Sequence, residues 1–223
     1  LAIKPNGLAI ACAEAGGIIA SADQGNVWTG RLTATSQDLF AVSFSSNNNG
    51  WAVGTNGTIV KTSDGGIRWE VQKSNVTAGL QSVYAVNDSI VYCVGRQATI
   101  LKTTNGGSSW GRLISGFSVF LNGTAFSTEK NGWAVGNGGI VMATTNGGDT
   151  WKIVYENKTK GMFLDAMEFW NDQSGIVIGD PLEGRFFMVR TFDGGNTWKD
   201  LPMDKRPMAD SGEACFAASG TNI

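Results

Sequence analysis

Histidine is absent from all 223 residues of this chain. That excludes a Ser-His-Asp or Cys-His catalytic group and removes the commonest zinc ligand. Cysteine is scarce: Cys12, Cys93 and Cys215 do not make a disulfide framework. Proline is also scarce, 4 residues against 31 glycines, which suits many tight turns and few rigid loops. There is no excess of positive charge. The formal net charge of -2 gives no reason to expect nucleic acid or an anionic membrane surface as a partner. No apolar run approaches the ~20 residues of a membrane span. No phosphate-cradling loop and no cluster of metal ligands stands out, so neither cofactor nor metal is expected. The chain opens at Leu1 with no visible signal peptide, which fits either a processed leader or a trimmed sequence.

What is present is a repeat. Thr62-Ser63-Asp64-Gly65-Gly66-Ile67-Arg68-Trp69 has four relatives, at residues 21–28, 103–110, 144–151 and 191–198, each reading Ser/Thr-x-Asp/Asn-x-Gly-x-x-Trp. The tryptophans Trp28, Trp69, Trp110, Trp151 and Trp198 step by 41, 41, 41 and 47 residues. Self-similarity at a period near 40 indicates a repeat architecture. The octet reads as a turn. The acid or amide at Asp23, Asp64, Asn105, Asn146 and Asp193 can bond backbone amides just ahead of it, and the Ser/Thr hydroxyl can add a second local bond. The tryptophan then folds back over the turn and buries a large apolar face. The pattern resembles the Asp-box, or BNR repeat, of sialidases, other glycosidases, sortilin-type receptors and the photosystem II assembly factor-like family. That resemblance implies a structural staple on the outer rim of a β-propeller, shared by enzymes and non-enzymes alike.

Between successive octets the same sub-pattern returns. A strand opens on Leu39, Leu80, Leu121 or Leu164; a short apolar strand, as in Gly50-Trp-Ala-Val-Gly54, follows; a third strand leads into the octet. Four short strands at roughly ten-residue spacing, without helical periodicity, read as one blade. The predicted fold is therefore all-β, a single β-propeller domain of four-stranded antiparallel blades, with about five blades present. The repeats fall at approximately 1–30, 31–71, 72–112, 113–153 and 154–201, with 212–219 as an extra strand. Leu8-Ala-Ile-Ala11 matches a second strand, but no clear first strand precedes it. Either the last strand completes the first blade and closes a five-bladed ring, or the chain is an excerpt of a six- or seven-bladed ring. Leu1 and the abrupt end at Ile223 favour the excerpt.

Departures among the repeats mark the candidate site. The loop after the second strand is Thr55-Asn-Gly57 and Asn137-Gly-Gly139 in two repeats, Arg96-Gln-Ala98 in another, and expands to Asp180-Pro-Leu-Glu-Gly-Arg185 in the last. The residue after the opening leucine is Phe40, Gln81, Asn122 and Asp165 in turn, with Glu213 aligned next. Period-2 geometry puts it opposite the leucine, as a candidate channel lining. Residues 179–186 and 212–221 resemble a bacterial branch of the photosystem II assembly factor-like, BNR-repeat family. The resemblance covers essentially the whole chain. It implies an extracytoplasmic, non-catalytic scaffold, expected to be monomeric, that binds a protein or carbohydrate partner on one face. Photosynthetic members are described as using an arginine-bearing face; here only Arg96, Arg185 and Arg206 fall near it. The expected binding residues are Gln81, Arg96, Asn122, Asp180, Glu183 and Arg185.

The competing expectation is a glycoside hydrolase, which needs two carboxylates flanking a sugar. Asp165, Asp180 and Glu213 are its candidate set, with Arg185 or Arg96 as a clamp on an acidic sugar. A sialidase would also show an Arg-Ile-Pro segment, which is missing, and a Tyr/Glu pair. Of the only tyrosines, Tyr84, Tyr92 and Tyr155, Tyr92 occupies a strand-core position.

Overall fold

The computed structural model describes residues 1–210 and 212–215. The first sheet is β1 (Ala2–Ile3), β2 (Ala9–Cys12), β3 (Ile18–Ser21) and β4 (Thr29–Gly30). The second adds β5 (Leu32–Thr33) to β6 (Leu39–Phe44), β7 (Gly50–Gly54), β8 (Ile59–Thr62) and β9 (Arg68–Gln72); β5 pairs parallel to β9, the other neighbours antiparallel. The third holds β10 (Leu80–Ala85), β11 (Val91–Gly95), β12 (Thr99–Thr103) and β13 (Gly111–Leu113). The fourth holds β14 (Leu121–Phe126), β15 (Gly132–Gly136), β16 (Ile140–Thr144) and β17 (Lys152–Glu156). The fifth holds β18 (Leu164–Phe169), β19 (Gly175–Leu182), β20 (Arg185–Thr191) and β21 (Lys199–Asp200). This is the β-propeller arrangement of four-stranded antiparallel blades. Among the described residues no helix is long and apolar enough to cross a membrane.

The core is laminated between blades. Trp51, Val53 and Ile59 of the second blade meet Leu80, Val91 and Leu101 of the third, and the other neighbouring pairs pack likewise. This explains why the second strand of a blade is buried along its whole length, as in Gly50–Gly54 and Val91–Gly95. It lies mid-sheet and has an apolar neighbour on both faces. The inner strands β6, β10, β14 and β18 stand side by side and form the wall of a central channel.

Three sequence expectations change here. The first blade has its own inner strand, Ala2–Ile3, paired through Ala2 with Ile10, so that position is filled without residues 212–219. Residues 213–215 carry no strand, and 216–219 lie outside the described residues. The expanded loop at 180–185 is a ribbon rather than a loop. Strand β19 continues to Leu182, Glu183 and Gly184 turn with positive φ, and β20 starts at Arg185. Finally, strict period-2 alternation fails after each opening leucine. Leu80 pairs with Gly95 but Ser82 with Val94, leaving Gln81 as a bulge. The same shift occurs at Phe40, Asn122 and Asp165. A bulged residue is unpaired and bends the strand, so its side chain is re-aimed.

In four blades a glycine of the second strand is dictated by contact. A Cβ on Gly54, Gly95, Gly136 or Gly179 would stand 1.7, 2.1, 1.9 or 2.0 Å from the carbonyl oxygen preceding the opening leucine. That close approach draws the second strand against the entry of the first at the channel mouth.

Candidate functional site: the channel mouth

The octets lie on the turns between third and fourth strands. In the second blade Thr62 Oγ1 accepts the Gly66 N–H (2.9 Å) and donates to Asp64 Oδ1 (2.8 Å). Asp64 Oδ1 in turn accepts the N–H groups of Ile67 and Arg68, both at 3.0 Å. Trp69 folds back to donate its indole N–H to the Gly66 carbonyl (3.2 Å). Asn105, Asn146, Asp23 and Asp193 accept from the backbone at the corresponding place. At Asp193 the Thr197 hydroxyl and N–H hold the carboxyl down at about 2. Trp110 differs, donating to Gln72 Oε1 across the blade gap. Thr103→Val should therefore cost about 1–2 kcal/mol, because the buried Gly107 N–H loses its acceptor while side-chain volume is kept. Chemical denaturation would show it as a lower midpoint at unchanged slope, and an unchanged midpoint would contradict the assignment.

From the second blade on, the octet indole fills the gap to the preceding blade. Trp69, Trp110, Trp151 and Trp198 are buried there, whereas Trp28, with no preceding blade among the described residues, is 38% exposed. Lysines add a second inter-blade tie that sequence reasoning missed. Lys61 Nζ donates to the Gly106 carbonyl (2.8 Å) and Lys102 Nζ to that of Gly147 (2.9 Å). In the fourth blade, where Ala143 stands at this position, the Trp133 indole reaches Gly195 O instead (3.2 Å). The recurrence of Lys before the octet threonine was the available signal.

At the other end of the blades, the bulges face the channel. A cavity of about 180 Å³ is bordered by Gln81, Asn122 and Asp165 together with inner-strand residues that include Ser82, Thr124 and Glu168. Gln81 and Asp165 are buried, 7% and 6% exposed. Arg96 Nε and Gln81 Nε2 lie together, each within 4.0 Å of the space a Gly79 Cβ would occupy. Asn122 Nδ2 bridges to the Leu164 carbonyl (3.0 Å) and to Asn137 Oδ1 (3.3 Å), joining the fourth blade to the fifth.

The carboxylates divide. Burial first, and the Asp180 charge second, push the Asp165 carboxyl up to about 7, with the Asp180 N–H opposing. Asp165 Oδ2 is buried without a hydrogen-bond partner among the described residues. Glu213 does not join them through a hydrogen bond. Its carboxylate accepts the Asp210 N–H (2.7 Å) and closes a local turn. The residue that reaches the pair is Cys215, whose N–H donates to Asp180 Oδ1 (3.0 Å) and whose Sγ approaches the Gly179 carbonyl (3.4 Å). Burial and both carboxylates push that thiol up to about 12, so it stays protonated. The alignment of Glu213-Ala with Asp165-Ala pointed two residues short, because it assumed a strand that residues 213–215 do not form.

Arg185 is likewise committed elsewhere. Its guanidinium donates to the Arg206 carbonyl (2.6 Å), and Phe186 N–H to Pro207 O (3.1 Å), so this edge of the ribbon holds the segment after β21. Glu183 is exposed at the tip of the turn. Arg206, 7% exposed, lies over the Phe187 ring at 4.5 Å and is a packing residue. Of the arginines expected at the face, Arg96 is the one exposed beside the cavity. Glu168 was missed by sequence reasoning. It was legible as a charge inside an otherwise inward-reading strand, Leu164-Asp-Ala-Met-Glu-Phe169.

The family profile described as photosynthesis system II assembly factor YCF48 matches residues 20–117 and again residues 116–213. No curated protein sequence matches. Among solved structures, YCF48 bound to a D1 peptide superposes with a TM-score of 0.59 at 18% identity, over 86% of this chain and 76% of that one. YCF48 from Cyanidioschyzon merolae gives 0.58 at 18% identity, over 90% and 82%. The GH74 enzyme of Niastella koreensis gives 0.74 at 19% identity, over 93% of this chain but 37% of the enzyme. At such identities these likenesses show the fold alone.

Proposed function

This chain belongs to the photosynthesis system II assembly factor YCF48 family, and from that premise we propose that it is a non-catalytic, extracytoplasmic scaffold binding a protein segment at the channel mouth. The observation that carries this is the placement of what differs between blades. Arg96, Gln81, Asn122, Asp165, Asp180 and Glu183 gather at the end where the second strands turn into the third, while the invariant octets take the opposite role of tying blades together. Loops and bulges on a rigid scaffold are where recognition is built most readily. The solved YCF48 complex with a D1 peptide supports a peptide ligand for this family member. The octets then serve as Asp-box staples, and the monomer is the binding unit.

A photo-crosslinking amino acid placed at Arg96 or Asn137 should join one and the same partner polypeptide in cells that make the protein. The same probe at Ser63 or Ser108, on the octet turns, should not. Equal labelling from both ends of the blades would refute a partner-binding mouth.

The hydrolase reading retains one favourable observation, the raised Asp165 carboxyl beside Asp180, a pattern that suits a general acid. Glu213 and Arg185 give it no support, since each is bound elsewhere. Turnover of any member of a panel of aryl glycosides, a sialoside and a β-glucan, abolished by Asp165→Asn, would establish that reading in place of ours.

A further inference from the structure

We infer that the mouth cavity is a socket for one lysine side chain of the protein partner, with the ammonium seated on the buried Asp165 carboxylate. This rests on the partner-binding reading above and names the chemistry that the partner must present.

Three observations converge on it. Asp165 borders the cavity, is 6% exposed, and leaves Oδ2 without a hydrogen-bond partner among the described residues. An acceptor left so is unfavourable until a donor reaches it. Next, the charged neighbour that acts on Asp165 has the wrong sign. Asp180 repels it, and the ion pairs among the described residues, Lys158 with Glu156 and Arg206 with Asp200, involve neither carboxylate. Arg185 is bonded to the Arg206 carbonyl. Finally, the cavity has room for a single side chain. Its volume of about 180 Å³ is too little for a folded element, and Gln81, Asn122 and Asp165 give it polar borders. A lysine brings a compact point charge on a slender stem, where a planar guanidinium needs a wider, flat acceptor.

The remaining titratable groups around the site do not replace the missing cation. Cys215 faces both carboxylates as a neutral thiol. Glu168 and Tyr84 border the same cavity and add no positive charge. Leu1 borders it too, and burial pushes its amino group down from the ordinary value. Because Asp165 holds a proton up to about pH 7, an arriving ammonium displaces that proton into solvent. Binding therefore strengthens as pH rises from 6 to 8.

The test compares N-acetyl-lysine N-methylamide with its norleucine analogue, equal in length and uncharged, by two-dimensional amide NMR at fixed ionic strength. The lysine compound should give saturable shifts at Gln81, Asn122 and Ala166, and the norleucine compound should bind at least tenfold more weakly. Asp165→Asn should bring the lysine compound down to the norleucine level, and the wild-type preference should grow between pH 6 and pH 8. Equal binding of the two compounds to the unaltered protein overturns the inference, and no misfolded variant can imitate that result. A lysine preference that survives in Asp165→Asn also overturns it. If crosslinking at Arg96 still captures a partner while the lysine compound is silent, the socket fails and the scaffold reading stands. If neither occurs, the scaffold reading fails with it.

Discussion

Trp69→Ala should lower stability by about 3–5 kcal/mol, the range for deleting a buried large aromatic, while Trp28→Ala should cost about 1 kcal/mol or less. Both tryptophans close the same octet and both donate an indole N–H to the octet glycine carbonyl, Trp69 to Gly66 and Trp28 to Gly25. What differs is the space each fills. Trp69 is 2% exposed, meets Phe44 edge-on at 5.7 Å, and packs with Ile10 and Ile18 of the neighbouring blade. Trp28 is 38% exposed. Thermal melts of the two variants under one buffer condition decide the matter, with a fall of roughly 10 °C expected for Trp69→Ala. Equal falls would mean that the turn bonds, not the inter-blade packing, give the octet its weight.

The second large effect is a pH dependence carried by Asp165. Its carboxyl is raised to about 7 in the folded chain, first by burial and then by Asp180, against an ordinary value of about 3.9 when unfolded. Between those values the folded state keeps a proton that the unfolded state has released. Folding then takes up a proton, so stability falls as pH rises from about 4 to about 7 and levels off above. Each pKa unit is worth about 1.36 kcal/mol, which sets a ceiling near 4 kcal/mol for the loss. Asp165→Asn keeps the shape and cannot ionise. The variant should match the wild type near pH 4.5 and exceed it increasingly up to about pH 7, by several degrees in melting temperature, with the gap levelling off above. Parallel curves across that range would show that Asp165 is not buried as a strained acid. The same strain is what a partner's ammonium would relieve, so one residue connects the stability profile to the proposed recognition.

The octets were fully legible because everything they need lies within eight residues. Thr62, Asp64 and Gly66 bond one another directly, and the spacing alone specifies those bonds. The inner-strand column at Gln81, Asn122 and Asp165 was legible as a polar departure in an apolar frame. Its aim was not, because a bulge depends on pairing with a second strand, Leu80 to Gly95 and then Ser82 to Val94. Arg185 shows the same limit from the other side. Its type and position suited a binding face, yet a carbonyl twenty-one residues away takes its guanidinium.

The period near 41, the octet chemistry and the blade-forming strands were fixed by residue type and spacing, since each acts over one turn or one strand pair. Which carboxylate lost its water, which cysteine came to lie beside it, and which tryptophan found an apolar neighbour were decided by the packing of blade on blade. Desolvation and Coulomb coupling depend on what surrounds a group in three dimensions, and Asp165, Asp180 and Cys215 meet only after the fifth blade and the segment beyond it have folded back to the channel mouth.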